Sequence, residues 1–186
     1  VNSLLEALKS VGYRASWEKI NELVRLFQQA HLIGLLPEYS TSLAPKTTTT
    51  DKVYAVDQGM AYATSRANQQ DIGKRLETAI YAELMRRTAN GRLETVTSFT
   101  APTQAREKVD FLVGDALASE PYALYQVTVD MTAEKTRRRE VGSLEVAMVK
   151  TGIKDANIIT LREATQIKTE HGVIEVIPAW KWSLGL

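Results

Sequence analysis

The chain has 186 residues, 44% of them hydrophobic and 24% charged, with a net charge of +1 at neutral pH. That is enough apolar material for the core of one large domain or two small ones. The charge is evenly spread, so there is no global basic footprint for nucleic acid. Cysteine is absent, which excludes disulfides and thiolate metal sites and suits a cytoplasmic protein. No run approaches the ~20 apolar residues of a membrane span, and the first residues lack the basic-then-apolar pattern of a signal peptide. Without an initiator methionine the chain reads as a fragment of something longer.

The first part predicts two helices and a hairpin. Ser3 to Ser10 is a short helix stopped by Gly12. Ser16 caps a longer one ending near His31, with Ile20, Leu23, Val24, Phe27 and Ala30 as its inner face. Leu32–Leu36 and Lys52–Val56 read as strands joined by the turn region 37–50. Helix, helix, hairpin is the order of a winged-helix module, over residues 1–57. The outer face of the second helix carries Glu18, Glu22, Arg25 and Gln29. A major-groove reader more often shows Arg, Lys and Asn there, so the module is expected to pack or dimerise rather than read sequence. Lys46, in the wing, is a candidate phosphate contact beside the simpler reading of a solvated loop.

Residues 58–186 read as a second unit. Asp57–Gly59 is expected to turn the chain, and Met60 to Ala67 to form a short helix. Asp71–Arg87 is a long helix with Leu76, Ile80 and Leu84 as its inward stripe and Glu77 at that stripe's edge. Strands are expected next at Leu93–Thr100, Glu107–Val113 and Tyr122–Val129. In the second of these, a period of two places Val109, Phe111 and Val113 on one face and Lys108, Asp110 and Leu112 on the other. In the third, Gln126 and Thr128 share a face. Thr132–Lys150 is a helix opened by Asp130 or Thr132, with Val141, Leu144, Ala147 and Met148 inward. A buried strand, Ala156–Leu161, and a hairpin about His171-Gly172 complete the chain before Pro178-Ala-Trp-Lys-Trp182. His31 and His171 fall at a helix end and a turn, which leaves no zinc site.

A carboxylate on a helix, one in mid-strand and a polar pair on the next strand can converge as a metal site. Separately, each has a plain structural reading: an edge Asp, a glutamine bonded across a sheet, a capping or paired Glu.

The order α, β, β, β, α, β from residue 71 resembles the PD-(D/E)xK nuclease-like superfamily. More narrowly, the chain resembles the C-terminal region of a widespread family of prokaryotic AAA+ ATPases, in which a winged helix links the ATPase to a nuclease-like domain of unknown function. The residues carrying this are Lys52-Val-Tyr-Ala-Val-Asp-Gln-Gly59, Asp71-Ile-Gly-Lys-Arg-Leu-Glu77 with Glu83-Leu84, Val109-Asp-Phe111, Tyr125-Gln-Val127 and Ile177-Pro-Ala-Trp-Lys-Trp182. The resemblance implies an α/β, restriction-endonuclease-like core with a mixed sheet, preceded by a winged helix. No phosphate-binding G-x-x-x-x-G-K-[ST] loop occurs, so ATP would belong to a domain outside this sequence.

Carried over residue by residue, the superfamily's helix acid falls on Glu77, its strand aspartate on Asp110, its second strand acid on Gln126 and its lysine on Thr128. Glu77, Asp110 and Gln126 can supply oxygens to Mg²⁺. Thr128 cannot supply the lysine's charge, which leaves Lys108 or Lys74 as displaced substitutes. Arg137, Arg138 and Arg139 become phosphate contacts if their face borders the site. The expected function is a nucleic-acid-interacting accessory domain of an ATPase, with DNA as partner and a degenerate nuclease site. An interaction or homo-oligomerisation domain comes next, and an active Mg²⁺-dependent nuclease with a displaced lysine last.

Overall fold

A computed structural model describes residues 2–40, 51–64, 71–89, 94–103, 106–115 and 118–185. The wing residue Lys46 lies outside the described residues.

Two helices, α1 (Asn2–Ser10) and α2 (Trp17–Gln29), lead into an antiparallel pair, β1 (Ile33–Leu36) and β2 (Lys52–Ala55). Ser16 caps α2 as expected, its hydroxyl accepting from Lys19 N–H. The expected inner face of α2 is only partly covered. Ile20 is buried, Leu23 and Val24 are half-buried, and Phe27 is 45% exposed. A nine-residue helix and a two-stranded sheet offer too little surface to cover the whole stripe.

The hairpin packs down on the helix and sheet that come later in the chain. Leu36 and Tyr54 enter one core cluster with Ile80, Tyr81 and Phe111. Tyr54 stacks on Tyr81 with ring centroids 4.2 Å apart. Gly34 makes this possible, since a Cβ there would lie 2.1 Å from the Tyr81 hydroxyl. Beyond β1 the chain runs along the outer sheet edge, where Ser98 N–H donates to Pro37 O and Tyr39 N–H to Ser98 O.

Asp57 does not end a turn with Gly59. Its Oδ1 accepts from Gly59 and Met60 N–H and opens α3 (Gln58–Thr64), two residues earlier than expected. Asp71 caps α4 (Ile72–Thr88) through Lys74 N–H. A six-stranded mixed sheet comes next, in the order β3-β4-β5-β6-β8-β7. It comprises β3 (Glu94–Thr100), β4 (Lys108–Asp115), β5 (Glu120–Val127), β6 (Asp155–Thr160), β7 (Thr165–Thr169) and β8 (Gly172–Pro178). Strands β3, β4 and β5 are antiparallel neighbours, whereas β5, β6 and β8 run parallel. The crossover from β5 to β6 is α5 (Glu134–Thr151), and α6 (Ala179–Leu184) closes the chain.

Helices cover both faces. Ile80, Tyr81 and Leu84 of α4 pack with Val96, Phe111, Ile159 and Trp182 on one side. Leu144, Ala147 and Met148 of α5 pack with Leu112, Leu124, Ile158 and Ile174 on the other. With both faces covered, Ala156 and Ile158 are buried on the α5 side of β6 and Ile159 on the α4 side. Helix α5 is not opened by a side chain. Asp130 turns instead to Thr132 N–H, and the cap position, Ala133, makes no side-chain bond.

The expected facing of β4 is corrected at Val109, and Asp110 is re-aimed with it. Phe111 and Val113 face α4, but Val109 joins the α5 cluster with Leu112. The cause is a β-bulge. Thr97 pairs Leu112 and Phe99 pairs Val109, so Asp110 and Phe111 together oppose Ser98.

A charged pocket where two strands part

The bulge places Asp110 where β4 and β5 separate. Their register runs through Phe111↔Tyr125, and beyond it two side chains replace ladder bonds. Asp110 N–H donates to Gln126 Oε1 at 3.1 Å, and Val127 N–H donates to Asp110 Oδ2 at 3.0 Å. A bulge re-aims a side chain at a sheet's rim, and here the aspartate turns into a pocket of about 490 Å³ lined by Lys52, Glu77, Lys108, Asp110, Gln126 and Arg139 among others.

Glu77 enters from α4. Its Oε1 accepts from the Tyr54 hydroxyl at 2.6 Å and from Lys52 Nζ at 3.0 Å. The same ammonium reaches Asp110 Oδ1 at 2.8 Å. Lys52 and Tyr54 are two residues apart on β2 and so share a strand face. One hairpin therefore delivers a cation and a donor to acids from a helix and a strand.

Gln126 approaches from the other side of the sheet. Its Nε2 donates to Glu140 Oε2 at 2.6 Å, and Glu140 is 2% exposed. Glu140 also takes the Arg139 guanidinium. Both polar atoms of Gln126 are thus engaged within the chain. It braces the backbone at Asp110 rather than presenting its oxygen beside the two carboxylates.

Burial pushes the Asp110 carboxyl above its ordinary range; Lys52 opposes this and the Glu77 charge adds to it. Burial pulls the Lys52 ammonium down, but attraction to Asp110 and Glu77 outweighs it, so the group ends above its ordinary value. Tyr54 is raised by burial and then by Glu77, so its hydroxyl stays a proton donor.

Of the expected site residues, Glu77, Asp110 and Gln126 all line this pocket. Thr128 does not join them: its hydroxyl donates to Asp130 O. Lys108 lines the mouth, whereas Lys74 lines a different cleft with Tyr62 and Arg75. In the arginine run, Arg139 borders the pocket and Arg138 pairs with exposed Glu134. Lys52, Tyr54 and Glu140 were not anticipated. Glu140 left a signal, a charged residue at helical spacing with Ser143, Leu144 and Ala147 in the inward stripe. Lys52 and Tyr54 left a weaker one, a lysine and an aromatic on a single strand face.

The donor set bears on Mg²⁺. Two carboxylates are hard oxygen ligands of the kind it takes. As arranged they are bridged by Lys52, and the oxygen of Gln126 is already used. No group of three or more His, Asp or Glu side chains is placed to hold a metal among the described residues. The set therefore does not fit a divalent ion while Lys52 stays.

A mixed α/β sheet with a charged pocket at its rim is the class these features define. Among curated proteins the chain is similar to the uncharacterized protein MJ1544 of Methanocaldococcus jannaschii, 29% identical over 190 residues. The match takes in 99% of this chain and 40% of that relative, so the chain spans less than half its length. No known family profile matches the chain, and no solved structure matches it. Among the described residues, no helix is long and apolar enough to cross a membrane.

Proposed function

We propose that this chain is a nuclease-like accessory domain of a larger ATPase, a winged-helix module followed by a restriction-endonuclease-like domain, that contacts nucleic acid and has lost most or all cleavage. The observation that carries this reading is the meeting of Glu77 and Asp110 at the point where β4 and β5 part. Helix acid and strand acid meet there on an α, β, β, β, α, β framework. The large part of the relative's length beyond this match leaves room for a further domain such as an ATPase.

The loss of cleavage follows from Thr128, which holds no positive charge and turns to Asp130. Losing one preorganised donor to the transition state costs on the order of 10²–10³ in rate. Nucleic-acid contact in this reading is with phosphate, through Arg106, Lys108 and Arg139 at the pocket mouth. The acids beside them keep it weak and salt-sensitive.

The test is a time course on linear, nicked and branched DNA with Mg²⁺ or Mn²⁺, together with a salt titration of binding. The expected result is no appreciable cleavage, with weak binding that falls in Lys108→Ala and Arg139→Ala. Wild-type cleavage that disappears in Asp110→Asn would overturn it and make the chain an active nuclease, with Lys52 rather than Lys108 or Lys74 as first candidate for the displaced lysine. An interaction domain is the second reading, favoured by the exposure of Tyr13, Trp17, Leu26 and Phe27 on and beside the first two helices. Absence of DNA binding at low salt, with concentration-dependent association, would select it.

A further inference from the structure

Lys52 sits in an unusual position for a lysine on a two-stranded sheet. Its ammonium lies 3.0 Å from Glu77 Oε1 and 2.8 Å from Asp110 Oδ1, and its side chain is 34% exposed. The two acids come from different elements, α4 and β4, and would repel each other without a cation between them. Tyr54 donates to the Glu77 oxygen that Lys52 also touches, and Val127 N–H holds the second Asp110 oxygen. An ammonium has one charge and three donors. Lodged between two carboxylates it leaves one net negative charge and satisfies both acids at once.

We propose that Lys52 is the resident cation of this pocket, standing where a divalent metal would bridge Glu77 and Asp110, and that removing its ammonium uncovers a divalent-cation site. The wild-type pocket then already holds its own counter-charge and has little affinity for Mg²⁺ or Mn²⁺. The same contacts tie the β1–β2 hairpin to α4 and β4. This deepens the reading of a degenerate nuclease-like site, and it is tested without DNA, so it stands or falls separately from the cleavage assay.

The experiment compares wild type, Lys52→Met and Lys52→Met with Asp110→Asn by thermal unfolding and by Mn²⁺ binding, in metal-free buffer and with added MnCl₂. Wild type is expected to show no metal-dependent shift. Lys52→Met is expected to melt lower without metal, because two partly buried carboxylates lose their counter-charge. With Mn²⁺ at ~100 times its Kd, linkage predicts a rise of roughly 5–10 °C. That rise is expected to vanish when Asp110→Asn is added. Three results would overturn the proposal: Mn²⁺ binding by wild type that is lost in Asp110→Asn, a folded Lys52→Met that ignores metal, or a Lys52→Met that stays unfolded with metal present.

Discussion

Under the proposed nuclease-like reading an acid would stand in place of Gln126, and the structure shows what that acid would meet. Its Nε2 lies 2.6 Å from Glu140 Oε2, inside a pocket wall where Glu140 is 2% exposed. Gln126→Glu replaces that donor with a second carboxylate. Two unit charges at about that separation repel by roughly 6 kcal/mol at an effective dielectric of ~20. The chain escapes more cheaply by keeping one proton on the pair. Holding a glutamic acid neutral at pH 7, against an unfolded pKa of about 4.3, costs about 4 kcal/mol at ~1.4 kcal/mol per unit. At pH 5 the same cost is about 1 kcal/mol. Once protonated, the introduced carboxyl still donates to Glu140 and still accepts from Asp110 N–H, so the geometry can survive.

The sign follows from linkage. The new carboxyl has a raised pKa in the folded state, so the variant's stability relative to wild type is retained at low pH and lost as pH rises through that value. Urea unfolding at pH 5 and pH 7 should show a deficit of ~1 kcal/mol growing to ~3–4 kcal/mol. Adding Glu140→Gln reverses donor and acceptor and should recover most of it. A Gln126→Glu chain as stable as wild type at pH 7, or one with the same deficit at both pH values, would refute the reasoning.

Three further outcomes are expected. Tyr54→Phe removes a 2.6 Å hydrogen bond to a carboxylate and should lower the urea-derived stability by ~1.5–3 kcal/mol; an unshifted midpoint would show that water replaces the hydroxyl at no cost. Gly172→Ala puts a Cβ 2.0 Å from the Lys154 carbonyl oxygen at a φ of +149°, so calorimetry should find a loss of more than ~2 kcal/mol from strain and overlap, and a melting point equal to wild type would contradict the backbone placed there. In Glu83 the Arg86 hydrogen bond, opposed by burial and reinforced by Arg87, holds the carboxyl at about 2 against an ordinary 4.5. Its stabilisation is present above pH 4.5 and lost as pH falls toward 2, so the stability gap between wild type and Glu83→Gln should close across that window in acid titrations; a gap that persists at the acid end would count against the Arg pairing.

The sequence by itself determined the run of elements from Asp71 to the closing hairpin, though not the last helix, Ala179–Leu184. The helical stripe of Leu76, Ile80 and Leu84 and the His171-Gly172 turn are local patterns, set by one residue's distance from the next. Glu77, Asp110 and Gln126 stood out because each broke such a pattern. What they touch was decided elsewhere. The bulge that turns Val109 to the α5 face and Asp110 into the pocket arises from pairing with Ser98, whose own N–H and C=O bond to residues 37 and 39. The cation at the centre comes from a hairpin 58 residues before Asp110, and the partner of Gln126 comes from a helix 14 residues beyond it. Periodicity records which way a side chain points from its own strand or helix. It carries no record of which charge the rest of the chain brings to meet it, since that is fixed only when both faces of the sheet are covered and each buried acid must find a donor.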